Sequence, residues 1–151
     1  MPLCTSCLFG KATQCPWCNK SSSRYLGYCQ TVTRPGECVS INQLVSSTPS
    51  LFAQAKGKCT TKRYRVATVF VNQYSRFSFV YMQKGGVVIK TVEAKEAFER
   101  YAASHGVSVL HYHADNGIFA DNLFHKAVAD RHQTLSFCGV NAHWQNGIAE
   151  K

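Results

Sequence analysis

Five stretches of the chain have the apolar pattern of β-strands. They are residues 38–45, 66–71, 76–82, 107–112 and 134–137. The second stretch, VATVFV, is almost continuously apolar and rich in β-branched residues, which is typical of a strand that is buried on both faces. The first stretch alternates weakly between apolar and polar side chains, as expected of a strand with one polar face.

Helical spacing of apolar residues appears only after the third predicted strand. Thr91 is a predicted N-cap, and Gly106 is predicted to end the helix that follows it. Residues 118–131 also have apolar side chains at helical spacing, and Asn146 is predicted to cap a last helix. The resulting order β-β-β-α-β-α-β-α predicts an α/β domain with a mixed sheet.

Length and composition bound the class of protein. A chain of 151 residues with an apolar fraction of 45% is sufficient for one globular domain and a small appendage. No apolar run approaches the roughly 20 residues that span a bilayer, and the start of the chain lacks the pattern of a signal peptide. We therefore expect no membrane partner and a nuclear or cytoplasmic location.

The net charge of +9 is concentrated in the first part of the chain. Residues 1–92 contain twelve of the seventeen basic residues but only one acid, Glu37. A basic surface attracts nucleic acid through the release of counterions, although a solvated basic loop has the same composition. The densest cluster consists of Lys56, Lys58, Lys62, Arg63 and Arg65.

Four of the eight cysteines form two C-x-x-C pairs near the start of the chain, Cys4 with Cys7 and Cys15 with Cys18. Without a secretory signal, such pairs favour metal binding over a disulfide framework. However, seven residues separate the two pairs, well short of the roughly 15–20 that are usual in four-cysteine zinc sites. A self-contained zinc site is therefore the less favoured interpretation.

Two carboxylates occupy positions at which α/β proteins often have functional residues. Asp115 follows a predicted strand and precedes the turn pair Asn116-Gly117, at the sheet edge where open α/β sheets bind ligands. Glu150 lies 35 positions later, in the first turn of the last predicted helix. Each has a structural alternative, since aspartate is common in turns and glutamate stabilises helix starts.

Together these segments resemble a known family. The string HYHADNG and the later SFCGVNAHWQNGIAEK are similar to the catalytic core of retroviral-type integrases, above all the copia-type retrotransposon branch. ATVFVNQYSRFSFV resembles the second and third strands of that core, and the early C-x-x-C-x-x-G-K resembles the end of its zinc-binding segment. The resemblance implies an RNase H-like fold with five strands in the order 3-2-1-4-5. It also implies that residues 1–36 are the tail of the zinc segment and a linker, and that residues 37–151 are a catalytic core that is incomplete at its C-terminus.

In that family three carboxylates hold two Mg²⁺ or Mn²⁺ ions, which cut and join phosphodiesters. Carried over to this chain, Asp115 and Glu150 take the second and third ligand positions, and the first position falls on Asn42. An amide offers one neutral oxygen and bridges two cations poorly, so the formal ligand charge falls from −3 to −2. We therefore expect weak or absent two-metal catalysis.

The resemblance also implies partners. The segment 139–145 is similar to a mobile active-site loop, so Trp144, Gln145 and Asn146 are candidate DNA contacts, although Trp144 is equally suited to pack on the domain. Cys4 and Cys7 match half of a zinc site, whose two histidines would precede the chain's start. DNA is the expected partner, together with further copies of the chain in a homo-oligomer.

Two functions remain open at this stage. The first is a polynucleotidyl transferase that uses Asp115 and Glu150 with divalent metal. The second is an inactive, decayed copy that retains nucleic-acid binding. Asn42 and the early end of the chain favour the second.

Overall fold

Five strands form one mixed sheet, as the pattern of apolar residues predicted. They are β1 (Val39–Leu51), β2 (Arg63–Asn72), β3 (Ser78–Gln83), β4 (His111–Ala114) and β5 (Thr134–Phe137). Their spatial order is β3-β2-β1-β4-β5. The expected order 3-2-1-4-5 is therefore confirmed.

The computed structural model of the protein describes residues 32–51, 63–139 and 146–150, except for the side chains of residues 50, 51 and 150. All of these residues belong to one compact unit, Val32–Lys151. Several predicted site residues lie outside the described residues, namely Cys4, Cys7, Lys56, Lys58, Lys62, Trp144 and Gln145. The division of the chain at residue 36 stays a prediction.

The central strand, β1, pairs with one antiparallel and one parallel neighbour. It is antiparallel to β2, with Val39 opposite Asn72, and parallel to β4, with Ile41 opposite Ala114. The ladder with β2 is irregular between Val45 and Ser50, beyond which the two strands continue as a two-stranded arm. Since β4 pairs with β1 only as far as Ile41, the later part of β1 has β2 as its partner among the described strands.

In the part of the chain that the structure describes, the helices follow β3. They are α1 (Val88–Ser104), a 3₁₀ helix (Gly117–Ala120), α2 (Asn122–Ala129) and α3 (Gly147–Glu150). In the described part of the chain, none of them has the length and apolar character to cross a membrane.

The predicted start of α1 is wrong. The helix begins at Val88, so Thr91 lies in its first turn, fully buried, and does not cap it. The Thr91 hydroxyl accepts a hydrogen bond from Gln43 Nε2 at 3.3 Å and donates to the Val87 carbonyl at 3.4 Å. The predicted end is confirmed, because Gly106 follows the helix with φ +72° and donates its N–H to the Ala103 carbonyl at 2.9 Å.

Two other predicted elements need correction. The strand expected over 107–112 begins only at His111, because the N–H of Leu110 donates to the Gly36 carbonyl (2.9 Å) and not to a neighbouring strand. The helix expected over 118–131 is divided at Asp121, whose carboxylate accepts the N–H of Leu123 at 2.8 Å and caps α2. Apolar spacing alone does not reveal such a local cap.

The main core fills the space between one face of the sheet and α1. Val39 and Ile41 of β1, Phe70 of β2 and Tyr112 of β4 are completely buried there. Phe98 of α1 stacks on Phe70 with ring centroids 4.8 Å apart. Burying such side chains stabilises the fold by about 1.5–3 kcal/mol each.

A partly buried carboxylate ties α1 to the far side of this core. Glu99 receives Lys95 Nζ at 2.8 Å, the Tyr112 hydroxyl at 2.9 Å and Gln133 Nε2 at 2.6 Å. Lys95 is itself buried and also donates to the Ala127 carbonyl of α2 at 3.0 Å. Burial raises the pKa of Glu99, but the hydrogen bonds from Lys95 and Gln133 outweigh it, so the pKa lies below its ordinary value of 4.5.

Replacing Glu99 with glutamine is expected to destabilise the fold by about 3 kcal/mol, because it leaves the buried charge of Lys95 without a counterion. Urea unfolding of the purified protein at neutral pH measures the change. Glu96→Gln is the matched control, since Glu96 lies on the exposed face of the same helix, 3.9 Å from Arg100. Equal midpoints for the two variants would contradict the assigned role of Glu99.

Candidate functional site

Asn42 and Asp115 come to the same edge of the sheet. In the parallel ladder of β1 and β4 the last pair is Ile41 with Ala114, and these two residues directly precede Asn42 and Asp115. Side chains alternate along a strand, so both point to the face opposite the main core. Sequence reasoning thus correctly predicted that Asp115 lies at the carboxyl end of a central strand.

Both side chains make a local hydrogen bond. Asn42 Oδ1 accepts the N–H of Gln43 at 2.8 Å, and Asp115 Oδ1 accepts the N–H of Asn116 at 2.8 Å. Each side chain is partly exposed. The amide oxygen of Asn42 is its single acceptor atom and is already shared with the backbone, so it is a weaker ligand than a carboxylate.

Helix α3 is held against this edge by Asn146. The Asn146 side chain is completely buried, and its Nδ2 donates to the Ile41 carbonyl at 2.9 Å. Ala149 packs on Val69 and Val71 of β2, on the face that carries Asn42. The backbone of Glu150 is therefore brought close to the other two predicted ligands.

Asn146 differs from its predicted role as a helix cap. Its Oδ1 has no hydrogen-bond partner in the described structure, so it does not serve as a helix cap. The side chain is a buried anchor between α3 and β1, and its role as a DNA contact stays a prediction. Sequence gave no signal for this anchor, because it joins residues 105 positions apart.

The donor set at the edge offers few ligands to a divalent metal. No three His, Cys, Asp or Glu side chains converge as a ligand set among the residues that the structure describes. Asp115 supplies a carboxylate and Asn42 a neutral oxygen, whereas the side chain of Glu150 lies outside the description. Oxygen donors of this kind suit one hard cation such as Mg²⁺ and are too few in charge for two.

A chain of polar side chains lies beside the edge, on the same sheet face. His111 contacts Thr134 Oγ1 through Nδ1 at 2.6 Å and Ser136 Oγ through Nε2 at 2.8 Å. His113 contacts the same Ser136 Oγ through Nδ1 at 2.9 Å and Cys138 Sγ through Nε2 at 3.5 Å. These contacts fix β4 to β5 just before Asp115.

The alternation of polar residues at 111, 113, 134, 136 and 138 is visible in the sequence. Its meaning depends on the parallel register of β4 and β5, in which His111 lies opposite Thr134 and His113 opposite Ser136. The pattern alone does not show that these side chains contact one another.

The two described members of the basic cluster lie on the arm. Arg63 and Arg65 are exposed near the start of β2, where Leu51 pairs with Arg63. The Arg65 guanidinium donates to the Ser47 carbonyl at 2.9 Å, which ties the two strands of the arm together.

Removal of the Asn146 side chain is expected to loosen α3. Asn146→Ala takes away a buried hydrogen bond to Ile41, which should cost about 1–3 kcal/mol. Hydrogen exchange of the amides in 147–150 measures the effect and should become faster by at least about tenfold. Asn122→Ala, at an exposed helix start, serves as the control. An unchanged exchange rate in Asn146→Ala would contradict the role of Asn146 as an anchor of α3.

Acid is expected to weaken the fold through the two histidines of β4. Burial, and then the charge of His113, lowers the pKa of His111 below its ordinary value of 6.5, and burial lowers the pKa of His113 as well. The folded state therefore favours neutral rings, and below about pH 6.5 the unfolded chain binds protons first. Stability should fall as the pH drops from 7.5 to 5.5.

The urea midpoint across this pH range is the measurement. The double variant His111→Gln, His113→Gln should show a flatter dependence than the parent chain, because both titrating rings are gone. His105→Gln, which replaces an exposed histidine, should keep the parent slope. Parallel slopes for the parent and the double variant would show that these rings do not control the acid response.

Comparison with known proteins identifies the fold. No protein-family model and no curated protein matches the chain. Solved structures do match, among them the HTLV-2 integrase catalytic core domain in complex with magnesium in its dimeric form, at TM-score 0.51 and 20% identity. The match covers 77% of this chain and 63% of that one.

Two further matches come from other viruses. A simian T-cell lymphotropic virus intasome in complex with PP2A regulatory subunit B56 gamma matches with TM-score 0.56 and 15% identity, over 77% of this chain and 36% of that one. The BIV integrase catalytic core domain matches with TM-score 0.53 and 14% identity, over 76% and 62%. The chain thus spans less than two thirds of each. The five-stranded mixed sheet of this protein is the RNase H-like fold of retroviral integrase catalytic cores.

Proposed function

We propose that this chain is an integrase core of a copia-type retrotransposon, which acts on DNA and whose metal-dependent chemistry is impaired. The observation that carries the proposal is the convergence of Asn42, Asp115 and the helix of Glu150 at one edge of an integrase-like sheet. The motifs around Asp115 and Glu150 add support that is independent of the fold.

The site residues have distinct proposed roles. Asp115 and Glu150 would hold a divalent ion, Mg²⁺ or Mn²⁺, with Asn42 as a weak third ligand. Such an ion stabilises the charge of a departing phosphodiester oxygen. The magnesium bound by the HTLV-2 core is in keeping with this cofactor. Asn42 supplies no charge, so we expect the ion to bind weakly.

The rival is an inactive copy that binds nucleic acid and does not cut or join it. The identity of residue 42 favours this rival, because the Asn42 Oδ1, which accepts the N–H of Gln43, offers a metal no negative charge. The basic residues of the arm, Arg63 and Arg65, would still serve binding. The dimeric and intasome forms of the matched structures support oligomerisation of this chain as a further proposal.

The zinc segment is proposed separately. Cys4 and Cys7 would supply half of a zinc site, and residues 1–36 would be the tail of the domain that contains it. Zinc content of the metal-reconstituted chain is the corresponding measurement.

Restoring the missing charge is the decisive test. Asn42→Asp should raise Mg²⁺-dependent or Mn²⁺-dependent cutting and joining of DNA at least about tenfold, because a third carboxylate strengthens metal binding by more than about 1.4 kcal/mol. An oligonucleotide strand-transfer assay measures the products. A further Asp115→Asn change in the same chain should abolish them.

Asn72→Asp is the matched control. Asn72 also ends a strand, but its Oδ1 accepts the N–H groups of Tyr74 and Ser75 at 3.0 and 3.3 Å, so it shapes a turn. This variant should leave activity at the parent level. Activity of the parent chain that survives Asp115→Asn would refute the proposed site.

A further inference from the structure

The outer edge of β3 has no neighbouring strand among the strands that the structure describes. Just before β3, the carbonyl of Phe77 accepts the N–H of Asn72 at 2.9 Å, so Phe77 bonds to β2. By the alternation of an antiparallel ladder, the odd-numbered residues of β3 also bond to β2. The N–H and C=O groups of the even-numbered residues therefore point away from the sheet, namely those of Ser78, Val80 and Met82.

This edge lacks the features that usually protect an outer strand. Proteins discourage the pairing of an exposed edge with another chain by placing proline or charged side chains along it. The stretch from Phe77 to Gln83 contains neither. Val80, at its centre, is 52% exposed. The strand therefore offers its outward backbone groups to another extended segment.

Apolar side chains border the edge on both faces of the sheet. On the side of α1, Phe77 and Tyr101 stack with ring centroids 5.4 Å apart, and they are 41% and 40% exposed. The ring centroid of Phe79 lies 5.6 Å from that of Tyr101. On the opposite face the border consists of Val80 and Met82. An added strand has side chains that alternate between the two faces, so it would contact both borders.

Positive charges flank the edge and select the kind of segment that fits it. Arg76 precedes β3 and Lys84 follows it, and both are exposed. Between residues 38 and 92 the sequence contains no Asp or Glu. Antiparallel pairing of two copies about Val80 would place Arg76 of one copy opposite Lys84 of the other at both ends, and like charges in such positions are destabilising. A segment with acidic ends would be attracted at the same positions.

We propose that the free edge of β3 binds an extended segment of a partner protein as an added strand, and that this segment has uncharged side chains between acidic ends. Main-chain hydrogen bonds to Ser78, Val80 and Met82 hold the segment, and the two borders accept its alternating side chains. Arg76 and Lys84 favour the acidic ends over a second copy of this chain.

Fluorescence anisotropy with a labelled synthetic peptide tests the proposal. The probe alternates valine and threonine and has glutamate at both ends. It should bind the purified chain at least about tenfold more tightly than the same peptide with lysine at both ends, since attraction replaces repulsion at two positions. Methylation of two adjacent central amide nitrogens blocks both edges of the peptide and should abolish binding.

Two variants of the chain separate backbone pairing from charge. Val80→Pro removes one outward N–H, which an edge strand tolerates, and should weaken binding of the glutamate-ended probe at least about tenfold. Val80→Thr keeps this N–H and a β-branched side chain and is the matched control. Lys84→Glu should weaken binding of the glutamate-ended probe and strengthen that of the lysine-ended one. Lys126→Glu, the same charge change at an exposed position of α2, should alter neither.

Hydrogen exchange locates the added strand. The amides of Ser78, Val80 and Met82 should exchange more slowly when the peptide is bound, whereas those of Phe79 and Tyr81, which bond to β2, should change little. Binding without this protection overturns the inference, as does binding by Val80→Pro that equals that of the parent chain. Protection of the outward amides in a concentrated solution of the chain alone would show that a second copy covers the edge, which also overturns it.

The outcomes separate this inference from the proposed function. β2 lies between β3 and β1, which carries Asn42, so the added strand requires neither metal nor DNA. Joining of DNA by Asn42→Asp without peptide binding overturns the edge site and leaves the integrase proposal intact. Peptide binding without any joining supports the edge site and counts against the catalytic proposal alone.

Discussion

The position of β1 between an antiparallel and a parallel neighbour is the constraint on which the rest of the fold depends. Its residues Val39 and Ile41 fill the main core, while Ser40 between them is buried on the other face, where it accepts a hydrogen bond from Gln73 at 2.9 Å. The carbonyl of Ile41 accepts the amide of Asn146. One strand therefore sets the core, the edge that carries Asn42, and the place of α3.

The sequence was informative where a pattern is local and repeated. The apolar runs gave all five strands and their order followed from the resemblance, because burial on both faces leaves a strong signal in residues such as those of VATVFV. Prediction from the sequence failed where a single hydrogen bond decides where a helix or strand begins. Leu110 has the apolar character of a strand, but its N–H is taken by Gly36. Thr91 is a good cap by residue type, but burial against Gln43 places it inside the helix.

The candidate site likewise contains one residue whose position was predicted and one whose position was not. Asp115 was placed correctly because a turn pair after a strand is a short-range signal. Asn146 was not, since its partner lies in a strand far away in the sequence. Prediction thus located Asp115 at the end of its strand and missed the residues that hold the surrounding elements in place. Asn42 adds no negative charge to this edge. The positive charge of the chain is concentrated in the same segment as β1 and β2, so little negative charge is left there to attract a cation.

The polar chain between β4 and β5 has a consequence for proton positions, which follows from counting donors. Thr134 Oγ1 lies 3.5 Å from the Leu110 carbonyl, and when it donates there it accepts from His111 Nδ1. His111 Nε2 then accepts from Ser136, and Ser136 accepts from His113 Nδ1. In this arrangement both neutral rings have the same tautomer, with hydrogen on Nδ1. A single backbone carbonyl at one end orders the hydrogens of the whole row, which leaves the lone pair of His113 Nε2 directed at the thiol of Cys138.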